Sequence, residues 1–181
     1  SVRLDSLITL RPGWVWVYAA YYPFCFLPLA FPGLLTDDRI FKRTVAGFAL
    51  QSGLAFPVFW LFPTAAARPE LSGAGLSVEV LRLIYRIDPG FNIFPSLHVS
   101  NAVFVALLAW RLRGPVWGGA SMAGAVLIAA STVLVKQHYL ADLPAGAALA
   151  ALAYALAFRG LKSSSENPAS AANAAFGLRL R

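Results

Sequence analysis

Charge is scarce in this chain: Asp, Glu, Lys and Arg make up 13% of its 181 residues, where a soluble domain carries roughly 25%. So little charge cannot cover a water-facing surface. With 59% hydrophobic residues and a mean hydropathy of +0.65, the composition points to a multi-span membrane protein. One cysteine, Cys25, excludes an internal disulfide and any zinc site built from several thiolates. It lies in an apolar run and reads as packing or lipid-facing filler. The net charge of +7 raises nucleic acid as a partner, but the basic residues fall mostly between and after apolar runs. That arrangement marks membrane topology, so the expected partner is the bilayer and not nucleic acid. No cleavable leader pattern and no internal repeat are evident.

Five runs approach the ~20 helical residues that cross a hydrocarbon core: 14–34, 43–62, 95–112, 115–135 and 143–160. They predict an all-α, polytopic membrane helix bundle of about five spans over residues 1–162. The last run is rich in Ala and Gly, which suits close helix packing. Pro23, Pro28 and Pro32 in the first suggest kinks or a partly re-entrant path. Within the connection 64–94, apolar Val78, Leu81, Leu83, Ile84 and Ile87 alternate with Glu79, Arg82, Arg86 and Asp88. That pattern predicts a short interfacial helix, apolar side to lipid and polar side to water. The Ser/Ala/Asn-rich tail 163–181 is expected to be disordered.

With five spans, nine of the basic residues fall on one side of the membrane (Arg39, Lys42, Arg43, Arg111, Arg113, Arg159, Lys162, Arg179, Arg181) and six on the other (Arg3, Arg11, Arg68, Arg82, Arg86, Lys136). The positive-inside rule assigns the first group to the cytoplasm. Three polar clusters, around Arg68, His98 and His138, then share the extracytoplasmic side.

The chain has only two histidines, each beside a strongly apolar run, and histidine acts near neutral pH as nucleophile, acid or base. The first sits in Pro95-Ser96-Leu97-His98. Ser96 reads as the cap of the third span, with His98 packed in its first turn. A helix N-terminus also offers unpaired N–H groups to an anion. Ser96 and the first-turn amides, that of Leu97 among them, could therefore hold phosphate oxygens with His98 in reach. The second histidine, His138, stands four residues before Asp142. Asp142 reads either as the N-cap of the fifth span, or as the acceptor that fixes the tautomer of His138 and leaves its other nitrogen nucleophilic. Arg68, before Pro69, is an interfacial turn or a bidentate phosphate donor. Lys136 is a snorkelling anchor or a phosphate contact. Tyr139, Trp60 and Trp110 read mainly as interface aromatics.

Together these blocks resemble the type 2 phosphatidic acid phosphatase superfamily, which carries Lys-x6-Arg-Pro, Pro-Ser-x-His and Ser-Arg-x5-His-x3-Asp. Arg68-Pro69 stands for the first block, Pro95-Ser96-Leu97-His98 matches the second, and Ser131, His138 and Asp142 match the third with its spacing. Two positions depart: Leu61 stands at the family's lysine and Thr132 at its arginine, and Lys136 is a candidate to restore one cation. The wording Phe94–His98 and Lys136–Tyr139 looks more like the branch that includes inositol phosphorylceramide synthases.

The resemblance implies the last five spans of a six-span core and an integral enzyme of the cell or inner membrane. Its active site would face the extracytoplasmic side. The implied activity is a lipid phosphate or polyprenyl (pyro)phosphate phosphatase. A lipid phosphotransferase of the phosphosphingolipid-synthase type and a non-catalytic lipid-binding or transport relative stand as alternatives. By the same resemblance His138 attacks phosphorus to form a phosphohistidine and Asp142 holds its ring. His98 protonates the leaving oxygen and then activates the acceptor, while Arg68, Ser96, Leu97, Ser131 and Lys136 bind phosphoryl oxygens. The family needs no metal or other cofactor, and Asp142 is the one acid that the sequence places near the motifs.

Overall fold

The computed structural model describes residues 3–30 and 38–160. In hydrocarbon a main chain must satisfy its own polar groups, which a helix does within one segment. The described residues accordingly form helices and no strand: α1 Arg3–Leu7, a single 3-10 turn Pro12–Trp14, α2 Val15–Ala19, α3 Tyr21–Ala30, α4 Asp38–Leu61, α5 Leu76–Ile87, α6 Leu97–Arg113, α7 Pro115–Leu134 and α8 Asp142–Ala157. The protein is all-α, as its apolar runs predict.

Span boundaries differ from the sequence reading. The expected first span, 14–34, is broken at Ala20 into the short helices α2 and α3, behind the 3-10 turn that Pro12 opens. Pro23 falls in the first turn of α3, where a missing N–H costs little. The second run starts earlier than 43, at Asp38, whose carboxylate suits a helix N-terminus. Helices α4, with 24 residues, and α7, with 20, are long and apolar enough to cross a membrane. Helices α6 and α8, with 17 and 16 residues, are shorter; at ~1.5 Å per residue each reaches about 25 Å against a core of about 30 Å. The tail 163–181 lies outside the described residues.

Helix α6 is the centre of the bundle, packed against α3, α4, α7 and α8. Its Phe104 is fully buried with Leu108, Ala150, Ala157 and Phe158. α4 admits the Phe104 ring only because residue 47 is glycine, where a Cβ would stand 2.1 Å from the ring. On the other face Ala102 and Ala106 pack with Tyr21, Cys25, Ala125 and Ile128, so Cys25 is a core residue and does not face lipid. The small residues of α8 permit the close packing their composition implies, with Ala150 and Ala153 fully buried.

Helix α5 is the amphipathic helix expected between the polar blocks. Leu81 is buried with Val15, Tyr18 and Val135, and Ile84 and Tyr85 pack against the same cluster. Leu76, Leu83 and Ile87 stay exposed. Part of its apolar face is therefore spent on α2.

The antiparallel sequence of α4, α6, α7 and α8 gathers the end of α4, the start of α6, the end of α7 and the start of α8. At the opposite end Arg43 donates to the carbonyls of Ala157 and Arg159, tying the start of α4 to the end of α8.

Candidate active site

Each histidine is placed by a helix terminus. Ser96 caps α6: it is extended at φ −69°, ψ 112°, and its side chain accepts from the Val99 N–H at 3.3 Å. His98 is thereby the second residue of the helix, next to first-turn amides that no preceding carbonyl can serve.

The other histidine follows α7 through a tight C-cap. Gln137 N–H donates to Thr132 O at 2.8 Å and Lys136 N–H to Val133 O at 3.1 Å, the paired bonds of a Schellman motif. Lys136 occupies its left-handed position at φ 58°, which favours glycine. His138 N–H also reaches Thr132 O, at 3.1 Å. Buried Thr132, at the family's arginine position, thus organises the histidine turn through its carbonyl, while its hydroxyl donates to Ala129 O.

The termini meet because α8 begins beside α6. Ser96 N–H points to Asp142 O at 3.4 Å, and a Cβ on Gly146 would stand 2.5 Å from Ser96 O. Asp142 is the first residue of α8, after Ala141. Its carboxylate turns back to accept from Tyr139 N–H at 2.9 Å and to face Nδ1 of His138 at 3.2 Å. Nε2 of His138 lies 3.2 Å from Nδ1 of His98, and Nε2 of His98 lies 2.8 Å from the Tyr18 hydroxyl. Tyr18, His98, His138 and Asp142 form one continuous chain of hydrogen bonds.

Arg68 is bonded to Gln137, the residue before His138. The segment after α4 pairs with the one before α6, Asn92 N–H donating to Thr64 O at 2.7 Å and Ala66 N–H to Gly90 O at 2.9 Å. Arg68 is held there over the Tyr85 ring at 4.5 Å, 3.6 Å from the Asp88 carboxylate, and it donates to Gln137 Oε1. Its Nε, and Nε2 of the buried Gln137, are left without a partner among the described residues. Buried donors of this kind are rare, because each forfeits its hydration. Burial pushes the Tyr85 phenol up to about 12, against the pull of Arg68; it stays protonated and donates to Val135 O at 2.8 Å.

A polar cavity of about 400 Å³ lies beside Arg68, lined also by Asp5, Ser6, Lys136 and Tyr139. Lys136 Nζ donates to the carbonyls of Asp5 and Ile8. The ammonium therefore ties the N-terminal segment to the histidine turn while presenting its charge to this cavity. An apolar cavity of about 790 Å³ opens between α6, α7 and α8, lined by Val99, Val103, Ala125, Val133 and Leu143 among others.

Of the residues singled out in the sequence, His98, His138 and Asp142 are in direct contact. Arg68 is bonded to Gln137, the sequence neighbour of His138, and Lys136 shares the polar cavity with Arg68. Ser96 and Ser131 are fully buried, the first on the Val99 amide and the second donating to Ile128 O at 2.6 Å. Leu97 is the first residue of α6 and offers only main-chain groups. Leu61, at the family's lysine position, is 59% exposed.

Two readings change. Asp142 is not the only acid near the motifs: Asp88 pairs with Arg68, and buried Asp5 accepts from Leu140 N–H at 2.9 Å. Asp5 arrives from a distant segment that no local spacing could connect, whereas Asp88 lies in the same connection, 64–94, as Arg68. Tyr139 is also more than an interface aromatic, since its hydroxyl accepts the Ala67 N–H at 2.9 Å.

Tyr18 and Gln137 escaped the sequence reading. Tyr18 is an aromatic in an apolar run, where nothing distinguishes it from packing. Gln137, a polar residue between Lys136 and His138, was a visible signal. Among the described residues no three His, Cys, Asp or Glu side chains cluster to share a metal ion.

A family model described as PAP2 superfamily, the type 2 phosphatidic acid phosphatases, matches residues 9–156. No curated protein and no solved structure gives a significant match.

Proposed function

The chain belongs to the PAP2 superfamily, a family of phosphatases and phosphotransferases with a helical membrane fold, and on that premise we propose that it is a membrane phosphoryl-transfer enzyme acting on lipid phosphates or polyprenyl (pyro)phosphates through a phosphohistidine on His138. The observation that carries this reading is the contact order Asp142–His138–His98. The carboxylate accepts a hydrogen bond from Nδ1–H of the His138 ring, which leaves Nε2 on the other side with a bare lone pair. That nitrogen faces a second histidine able to handle a proton.

Substrate enters by parting the two rings. His98 takes up a proton with the substrate. Nε2 of His138 then attacks phosphorus, and the bond to the leaving oxygen breaks as Nδ1–H of the His98 imidazolium protonates it. His98 is left neutral with its proton on Nε2. In the second step an incoming hydroxyl gives its proton to Nδ1 of His98 while its oxygen attacks phosphorus and the P–N bond breaks. Water as acceptor gives hydrolysis; a lipid hydroxyl gives transfer. Charge on the phosphoryl oxygens is met by preorganised donors: the free Nε of Arg68, the free Nε2 of Gln137, the first-turn amides of α6 at Leu97 and His98, and the Lys136 charge. Gln137 thus supplies a donor where the family arginine is replaced by Thr132. Ser96 and Ser131 support these termini. We place the reaction at the extracytoplasmic face, because the basic residues of the opposite helix ends satisfy the positive-inside rule.

The transferase reading is favoured by the wording of Phe94–His98 and Lys136–Tyr139, which resembles the branch that includes inositol phosphorylceramide synthases. Purified protein in vesicles, supplied with labelled phosphatidate or polyprenyl pyrophosphate and a metal chelator, is expected to release inorganic phosphate. Label passing from a phospholipid donor to added ceramide or diacylglycerol identifies the transferase instead. No turnover of any of these lipids would leave a lipid-binding relative and defeat the proposal.

A further inference from the structure

The hydrogen-bond chain through the histidines has a direction, set at its acidic end. The Asp142 carboxylate only accepts, so Nδ1 of His138 carries the proton and Nε2 is bare. Nδ1 of His98 faces that bare nitrogen and therefore donates. Nε2 of His98 is left as an acceptor, and the Tyr18 hydroxyl 2.8 Å away is the donor that fills it.

We infer that Tyr18 is the positioning residue of His98, doing for the second histidine what Asp142 does for the first. Its catalytic meaning rests on the phosphoryl-transfer reading; the hydrogen bond itself does not. Tyr18 is 0% exposed, anchored with Val15, Leu81 and Val135, so its hydroxyl is delivered from a packed base. The rings of Tyr18 and Tyr21 stand 5.0 and 4.5 Å from the His98 ring. The Tyr21 hydroxyl is held elsewhere, accepting from Asn101 Nδ2 at 2.8 Å, and the hydroxyl on the nitrogen is that of Tyr18. The short helices α2 and α3 thus hold His98 through Tyr18 and Tyr21.

The choice of a phenol has a chemical reason. His98 must hold both ring protons to act as the acid and is neutral at rest, so its far nitrogen is protonated in one state and bare in the other. A phenol serves both states, donating through O–H and accepting through oxygen after the hydroxyl turns. A carboxylate would serve the imidazolium alone and hold the proton that His98 must release.

Two histidines give only four ring-nitrogen signals in ¹⁵N-histidine-labelled protein, which makes the bond directly observable. Nε2 of His98 is expected at a hydrogen-bonded position in wild type and at a free one in Tyr18→Phe, with the His138 Nδ1 signal unmoved. Turnover supplies a second readout, expressed per vanadate-binding site so that only folded protein counts. Loss of a well-placed general acid falls on poor leaving groups. Tyr18→Phe is therefore expected to slow an alkyl phosphate about tenfold, and p-nitrophenyl phosphate less than about threefold, with KM preserved for both. Unchanged nitrogen signals, or equal slowing of both esters, would overturn the inference. If wild type turns over neither ester, the phosphoryl-transfer reading fails while the nitrogen signals still decide the Tyr18–His98 bond.

Discussion

Nε2 of His138 lies 3.2 Å from Nδ1 of His98, so without substrate the proposed attacking nitrogen is covered by the proposed acid. Two helix termini from different parts of the chain make this contact, and the start of α8 sets their separation. Small errors in that docking would pull Asp142 and His138 away from His98.

Gly146 controls the docking. Alanine is the better helix former by about 1 kcal/mol, but here its Cβ would press on a main-chain oxygen at 2.5 Å, with Val99 and the Ser100 amide close behind. Main chain cannot swing aside, and overpacking costs about 1–3 kcal/mol, so the clash outweighs the propensity. Gly146→Ala is expected to lower the thermal midpoint and cut turnover about tenfold or more. A variant that is more stable and equally active would show that α8 does not set the site.

Lys136 holds a left-handed position that favours glycine, and its ammonium bridges Asp5 and Ile8. Two bonds to carbonyls leave the third donor and the charge for the polar cavity. One charge-assisted contact is worth about 1.5 kcal/mol at its lower end, so Lys136→Met is expected to weaken vanadate binding about tenfold. Titration of vanadate against both proteins measures this. Equal vanadate affinity with a lowered thermal midpoint would confine Lys136 to tethering the N-terminal segment.

The apolar runs after residue 95 were legible because nothing interrupts them: Ser96 stops α6 on its N-terminal side and Gly114-Pro115 separates α6 from α7. The His138–Asp142 contact was legible for the same local reason, a spacing of four residues across one turn. In the run 14–34 the prolines signal an interrupted helix, but composition alone gives no sign that Tyr18 meets His98. Long-range partners were invisible: Tyr18 meets His98 across 80 positions and Arg68 meets Gln137 across 69. The reading of Lys136 as a snorkelling anchor or phosphate contact missed its tether to Asp5 and Ile8, which depends on where the N-terminal segment lies.

Sidedness can be read by thiol labelling. In a Cys25→Ser background, Ala74→Cys lies in the connection on the histidine side and Arg113→Cys ends α6 on the other. Position 74 is expected to react with a membrane-impermeant reagent in intact cells, and position 113 only after permeabilisation. The reverse pattern would place the reaction at the cytoplasmic leaflet.

The phosphohistidine is tested most directly by trapping it. Wild-type protein quenched during turnover of a ³²P-labelled lipid phosphate is expected to carry an acid-labile, base-stable label on the peptide containing His138. His138→Ala should carry none and lose turnover. An equal label on His138→Ala, or an unchanged rate in that variant, would contradict the assignment of His138 as the nucleophile.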